Sequence, residues 1–170
     1  PRALSSTMAG AIRTAFDALR DEASTERELE GWWVGLEVTH HGPHSTVPLI
    51  YVEFGGDERA RASEAGAAAV AEACVEVVTK ARPSNRAAVG VGGGHYAPAF
   101  VRLMAEGSFD FGHVLPKYAI PQGLDLLPEA VARTADGCRA VVLDRKGIPG
   151  AHRREAIAAA ESLGLEVVQL

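Results

Sequence analysis

Three short stretches of this sequence concentrate side chains that can move protons or hold metal ions. The first is Glu37-Val38-Thr39-His40-His41-Gly42-Pro43-His44, which carries three of the six histidines. Imidazole changes charge near neutral pH and is the commonest metal ligand. Side chains alternate faces along a strand, so Glu37, Thr39 and His41 share one face while the strand persists, and His40 shares the other with Val38. One of the two adjacent histidines is therefore expected to enter a cleft fully. His41 is the better placed, because a carboxylate behind an imidazole fixes its tautomer and raises its basicity. The competing reading is a polar turn stiffened by Pro43.

The second stretch is Val89-Gly90-Val91-Gly92-Gly93-Gly94-His95-Tyr96-Ala97-Pro98. Glycines after a buried strand let a ligand approach the backbone and leave amides unshielded, so Gly92, Gly93 and Gly94 are candidate substrate contacts, with His95 and Tyr96 projecting from the corner. No lysine follows these glycines, and no acidic residue stands at dinucleotide-fold spacing, which argues against a nucleotide cradle. The third stretch, Gly112-His113-Val114-Leu115-Pro116-Lys117-Tyr118-Ala119-Ile120, brings a His, a Lys and a Tyr together. Lys117 suits a phosphate, a carboxylate or a developing oxyanion. Glu53, the lone acid in the run Leu49 to Phe54, needs a partner or a place at a rim. Lys146, in Asp144-Arg145-Lys146-Gly147, follows a buried run, and His152 reads as surface. There is no His-Glu-x-x-His helix and no Gly-x-Ser-x-Gly elbow. From spacing alone the chemistry is a histidine-lined hydrolytic or metal site.

The elements that must position these residues follow from periodicity. Met8, Ile12, Ala15, Phe16 and Leu19 recur at helical spacing, predicting a helix over 6–21. Trp32 to Val38 and Pro48 to Phe54 read as strands. Asp57 is the expected N-cap of a helix running to about Ala81, with Val70, Ala73, Cys74, Val77 and Val78 as its buried stripe. Ala87 to Val91 reads as a buried strand, a short helix follows Pro98, and 124–134 looks helical. Arg139 to Leu143, Ala151 to Leu163 and Leu165 to Gln169 form a strand–helix–strand unit that predicts a parallel pair with a right-handed crossover. The alternation gives an α/β domain with helices on both faces of a mixed, mostly parallel sheet. Ligands in such sheets bind beyond the carboxyl ends of the strands, where THHGP, GGGHY and DRKG fall. Asp21 to Glu30 and Arg82 to Arg86 read as the least ordered segments.

Composition narrows the options. The 170 residues are 47% hydrophobic with a net charge of −5, which suits one globular domain over 1–170. The charge argues against a general nucleic-acid coat but leaves room for a protein that grips only an RNA end. Cys74 and Cys138 read as two buried thiols in a reducing, cytoplasmic setting. No Cys-x-x-Cys pair supports a thiolate zinc cluster. No apolar run has the roughly 18 residues of a membrane span, and Pro1-Arg2 leads into an amphipathic stretch rather than a secretory signal.

Leu-Glu-Val-Thr-His-His-Gly-Pro (36–43), Val-Glu-Phe-Gly (52–55), Gly-Val-Gly-Gly-Gly-His-Tyr-Ala-Pro (90–98), Gly-His-Val-Leu-Pro-Lys-Tyr-Ala (112–119) and Asp-Arg-Lys-Gly (144–147) resemble, in order, the D-aminoacyl-tRNA deacylases of archaea and plants. The resemblance runs from about Leu4 to the C-terminus. It implies a three-layer α/β/α, phosphorylase/hydrolase-like fold, and hydrolysis of the ester that joins a D-amino acid to the tRNA 3′ end. It also implies a zinc-dependent enzyme, with His41, His95 and His113 holding Zn2+ or orienting a water. Glu37 then fixes a histidine or acts as general base, Gly93, Gly94 and Lys117 stabilise the oxyanion, and Tyr96 stacks on the terminal adenine. The metal-free version lets the histidines orient a water or the ribose hydroxyl. The family's added N-terminal region has no counterpart here, which fits either a natural short relative or part of a larger protein, with a partner chain or a homodimer as the expected source of the missing surface. A different metal-dependent amidase or esterase, or a non-catalytic tRNA- or metabolite-binding relative, remain the rival readings.

Overall fold

A computed structural model describes residues 3–170; Pro1 and Arg2 lie outside the described residues. Four strands form one sheet: β1 (Ala87–Val91), β2 (Asp110–Leu115), β3 (Ala140–Leu143) and β4 (Glu166–Gln169), in the order β2-β1-β3-β4. Every pairing is parallel, so the mixed sheet expected from sequence is, among the described residues, a wholly parallel one. β1 to β3 are buried along their length, and β1 and β3 carry the apolar runs of strands covered on both faces.

Alternation along the strands divides the core in two. Ala88, Ala140 and Val142 face Phe16 of α1 (Ala9–Thr25) and Phe100, Leu103 and Met104 of α4 (Pro98–Ala105). Val89, Val91, Val141 and Leu143 face Leu127 and Ala130 of α5 (Leu127–Ala132) and Ala156 and Ala160 of α6 (Gly150–Ser162). These are the three layers of an α/β/α fold. No helix among the described residues is long and apolar enough to cross a membrane.

Several expectations need correction. Trp32 to Val38 and Pro48 to Phe54 join no ladder, whereas 110–115, where periodicity predicts no strand, forms the fully buried β2. The single helix expected after Asp57 is two. Asp57 caps α2 (Glu58–Arg61), and the Ser63 hydroxyl accepts from the Gly66 amide to start α3 (Glu64–Lys80). The buried stripe of α3 is Gly66, Ala69 and Ala73, because α3 packs chiefly on α1; Cys74 and Val78 face outward. Of the two thiols only Cys138 is partly covered, and burial raises its pKa. Asp21 to Glu30 is the end of α1 followed by a 3-10 turn at Arg27–Leu29.

Candidate active site

The site begins with two close approaches of main chain. The Val38 amide donates to the His95 carbonyl at 2.9 Å, and the Thr39 amide donates to the Val114 carbonyl at 2.8 Å. These bonds lay the 37–41 segment against the corner after β1 and the end of β2. The corner is itself fastened: Gly92 donates to the Leu115 carbonyl at 2.8 Å, and Lys117 donates to the Gly93 carbonyl at 3.0 Å. Gly92 has φ +105°, and a Cβ there would lie 3.0 Å from the Asp144 carbonyl oxygen. Only glycine meets both conditions without strain. Beyond Gly92, the amides of Gly93, Gly94, His95 and Tyr96 donate to no protein acceptor among the described residues.

This scaffold gathers three imidazoles about one carboxylate. Nε2 of His95 stands 3.2 Å from Oε1 of Glu37, and Nε2 of His40 and His41 stand 3.5 and 3.9 Å from Oε2. Glu53 reaches His41 from the 48–54 segment, at 3.6 Å. The His40 ring lies 4.0 Å from that of His41 and 4.7 Å from that of His95, between centroids. Because 37–41 is not a regular strand, strict alternation fails and both adjacent histidines turn to Glu37. Tyr51 packs on His41 at 4.9 Å and donates its hydroxyl to the Gly42 carbonyl. Trp33 and Tyr96, both more than half exposed, meet edge to face at 5.4 Å.

The protons of His40 follow from its neighbours. Its Nδ1 lies 2.6 Å from the Val38 carbonyl, which can only accept, so Nδ1 carries hydrogen. A neutral His40 would then turn the lone pair of Nε2 toward the Glu37 carboxylate. Two acceptors face each other, and a cation, either a proton or a metal ion, resolves the conflict. Glu37, His40 and His41 offer ligand atoms within 4.8 Å of one another, the one such grouping among the described residues.

His113 does not join this group, so the set His41, His95 and His113 expected to hold metal is not brought together. A bulge in β2 aligns Ala88 with Phe111 but Val89 with His113. The extra residue, Gly112, turns His113 onto the opposite face from Phe111. There it is 4% exposed. The Thr39 hydroxyl accepts from the Val114 amide at 3.0 Å and shares a hydrogen bond with Nδ1 of His113, 3.2 Å away. Nε2 has no hydrogen-bond partner among the described residues. Burial pulls the His113 pKa down to about 4, against smaller opposing effects from the Ser5 backbone and the Glu129 charge.

The remaining candidates form the rim. Lys117 starts an exposed 3-10 turn, and its aliphatic stem passes Gly147. Lys146 is exposed in the turn after β3, its amide donating to Oδ1 of Asp144 at 3.2 Å. His152 pairs with Glu155 at 3.2 Å on the outer surface, as its charged surroundings suggest. Trp33 and Tyr51 escaped the sequence reading. Their places opposite Val34, Leu36, Ile50 and Val52 in the alternation were the signal that pointed outward.

Comparison with known proteins assigns the chain to a family. The D-aminoacyl-tRNA deacylase model matches residues 1–168. The chain belongs to the D-aminoacyl-tRNA deacylase family. It is 40% identical over 141 residues to the D-aminoacyl-tRNA deacylase of Thermococcus kodakarensis, covering 82% of this chain and 52% of that protein. The deacylase of Methanosarcina mazei is 34% identical over 173 residues, covering 99% of this chain and 55% of the relative. A solved structure of a conserved protein of unknown function shares the fold with a TM-score of 0.85 at 30% identity, covering 99% of this chain and 59% of that one. The chain thus spans about half the length of the curated deacylases that it matches.

Proposed function

We propose that this chain carries the hydrolytic site of a D-aminoacyl-tRNA deacylase, cleaving the ester between a D-amino acid and the tRNA 3′ end to release both. The observation that carries the reading is the Glu37 carboxylate ringed by His40, His41 and His95 beside four acceptor-free amides. Ester hydrolysis needs a group that takes a proton from water, and donors aimed at the oxygen that becomes negative. Glu37 takes the proton, and His95, at 3.2 Å, passes it toward the leaving ribose oxygen. The amides of Gly93 and Gly94 meet the developing oxyanion, with the Lys117 ammonium adding positive charge at the rim. Trp33 and Tyr96 offer faces to the terminal adenine, a use of exposed aromatic rings that suits unpaired bases. Lys146 suits a phosphate of the same strand, and Glu53 holds His41.

Two imidazoles and a carboxylate form a nitrogen–oxygen donor set of the kind zinc takes, and the facing acceptors of His40 and Glu37 call for a cation. Glu37, His40 and His41 would hold zinc, and in that form His95 rather than Glu37 would take the proton, while His113 takes no part. Bound there, zinc would supply Lewis acidity to water. Incubation with D- and L-tyrosyl-tRNA tests the reading: only the D-ester should be cleaved appreciably, and equal rates would contradict it. A chain acting on this substrate class would work in the cytoplasm, where translation occurs.

A further inference from the structure

The loop that carries His40 and His41 has no regular structure to hold it. His40 to His44 are all exposed, and among the described residues no backbone–backbone hydrogen bond involves them. A free loop of this length has many conformations open to it, yet both imidazoles reach the Glu37 carboxylate. The two ends of the loop supply the order. At Thr39 the amide donates to the Val114 carbonyl at 2.8 Å. The Thr39 hydroxyl accepts from the Val114 amide at 3.0 Å and shares a hydrogen bond with Nδ1 of the buried His113 at 3.2 Å. At the other end the Ser5 hydroxyl donates to the Pro43 carbonyl at 2.8 Å and accepts from the Ser45 amide at 3.1 Å. The Ser6 amide adds a bond to the Ser45 carbonyl at 2.8 Å, and the Tyr51 hydroxyl holds the Gly42 carbonyl between the two ends. Both ends are tied to the body of the fold. Thr39 is fixed to β2. Ser5 belongs to a strap, residues 4–7, whose Leu4 amide donates to the Glu129 carboxylate of α5 at 3.0 Å. Farther along the strap, the Thr7 amide donates to the Arg133 carbonyl at 2.9 Å, and the Thr7 carbonyl accepts from the Ala135 amide at 2.8 Å.

We propose that Thr39 and Ser5 are positioning residues, whose hydroxyls clamp the two ends of the 40–44 loop and so hold His40 and His41 on Glu37. Neither hydroxyl bonds Glu37, His40, His41 or His95, so each acts through the loop backbone. A site whose reacting groups ride on a loop depends on such outer bonds, because a small shift of an imidazole removes it from productive geometry. The effect on the reaction rests on the deacylase reading; the clamp itself does not.

The test compares the full chain with Thr39→Val, Thr39→Ser and Ser5→Ala. Thr39→Val keeps the shape of the side chain and loses the hydroxyl, and Thr39→Ser restores it. The first readout is the imidazole nitrogen NMR spectrum of the resting protein at one pH near neutrality, well below each melting temperature. His40 and His41 signals should shift or broaden in Thr39→Val and in Ser5→Ala, while His152, on the outer surface, stays in place as an internal reference. Thr39→Ser should restore the wild-type pattern, which a general loss of stability would not predict. Should Thr39→Val fail to fold, Ser5→Ala decides alone, since its bonds lie near the surface. The second readout is single-turnover cleavage of D-tyrosyl-tRNA. The maximal rate should fall at least about 10-fold in Thr39→Val and Ser5→Ala, as for other outer partners of site histidines, with the half-saturating tRNA concentration little changed. Unaltered His40 and His41 signals in a folded Thr39→Val or in Ser5→Ala, or no recovery in Thr39→Ser, would overturn the clamp. A wild type that cleaves nothing while these signals respond sinks the deacylase reading and leaves the clamp standing. A wild type that cleaves, with both hydroxyl-free variants equally fast, does the reverse.

Discussion

Acid should loosen this protein through His113. His113 is 4% exposed, and burial favours the neutral ring in the folded state. Burial lowers its pKa from 6.5 to about 4. A base with a depressed folded pKa gives stability that is present above the unfolded pKa and lost as pH falls toward the folded one. Linkage then predicts a loss of about 1 kcal/mol at about pH 5.5 and about 3 kcal/mol at about pH 4, relative to neutral pH. Urea unfolding of the wild type and of His113→Leu at these pH values isolates the effect, since the other titrating groups are common to both. The difference between the two proteins should narrow or reverse by those amounts on acidification. Parallel stability curves would refute the buried neutral imidazole.

Two further outcomes follow from the site. Gly92→Ala should cost about 1–3 kcal/mol in thermal or chemical unfolding, because φ is +105° and the Asp144 carbonyl is 3.0 Å from the new methyl; Gly94→Ala, with no atom within 4 Å and no positive φ, should leave stability nearly unchanged. Calorimetric titration with zinc near neutral pH should detect binding that weakens at least about 10-fold in His40→Ala and His41→Ala but not in His113→Leu; equal loss in the last would return His113 to the metal set.

How much of this was legible in the sequence differs by residue. Ala87–Val91 and Ala140–Leu143 stood out because continuous apolar runs between turns are what a parallel, doubly covered sheet requires, whereas the edge strand Glu166–Gln169 showed through the strand–helix–strand pattern that it closes. β2 hid because Asp110, Gly112 and His113 interrupt its apolar run, and the bulge that accommodates Gly112 is a tertiary event. That same bulge explains why His113, equal in sequence to His41 and His95, left their company. Trp32 to Val38 and Pro48 to Phe54 carry a true strand alternation, yet pairing depends on a neighbour that local pattern cannot supply. Glu37 was legible as the partner of a histidine. That it serves three was not, because His40 and His41 converge only after the segment departs from strand geometry.

The central claim is that Glu37 and the imidazoles around it perform the hydrolysis. Single-turnover cleavage of D-tyrosyl-tRNA by wild type, Glu37→Gln and His95→Ala decides it. Both variants should keep the wild-type melting temperature, since the His95 bond to Val38 uses its backbone carbonyl. Each should lose at least about 100-fold in rate, the lower end for general acid–base catalysis. Cleavage by Glu37→Gln at the wild-type rate, or none by the wild type, would contradict this assignment.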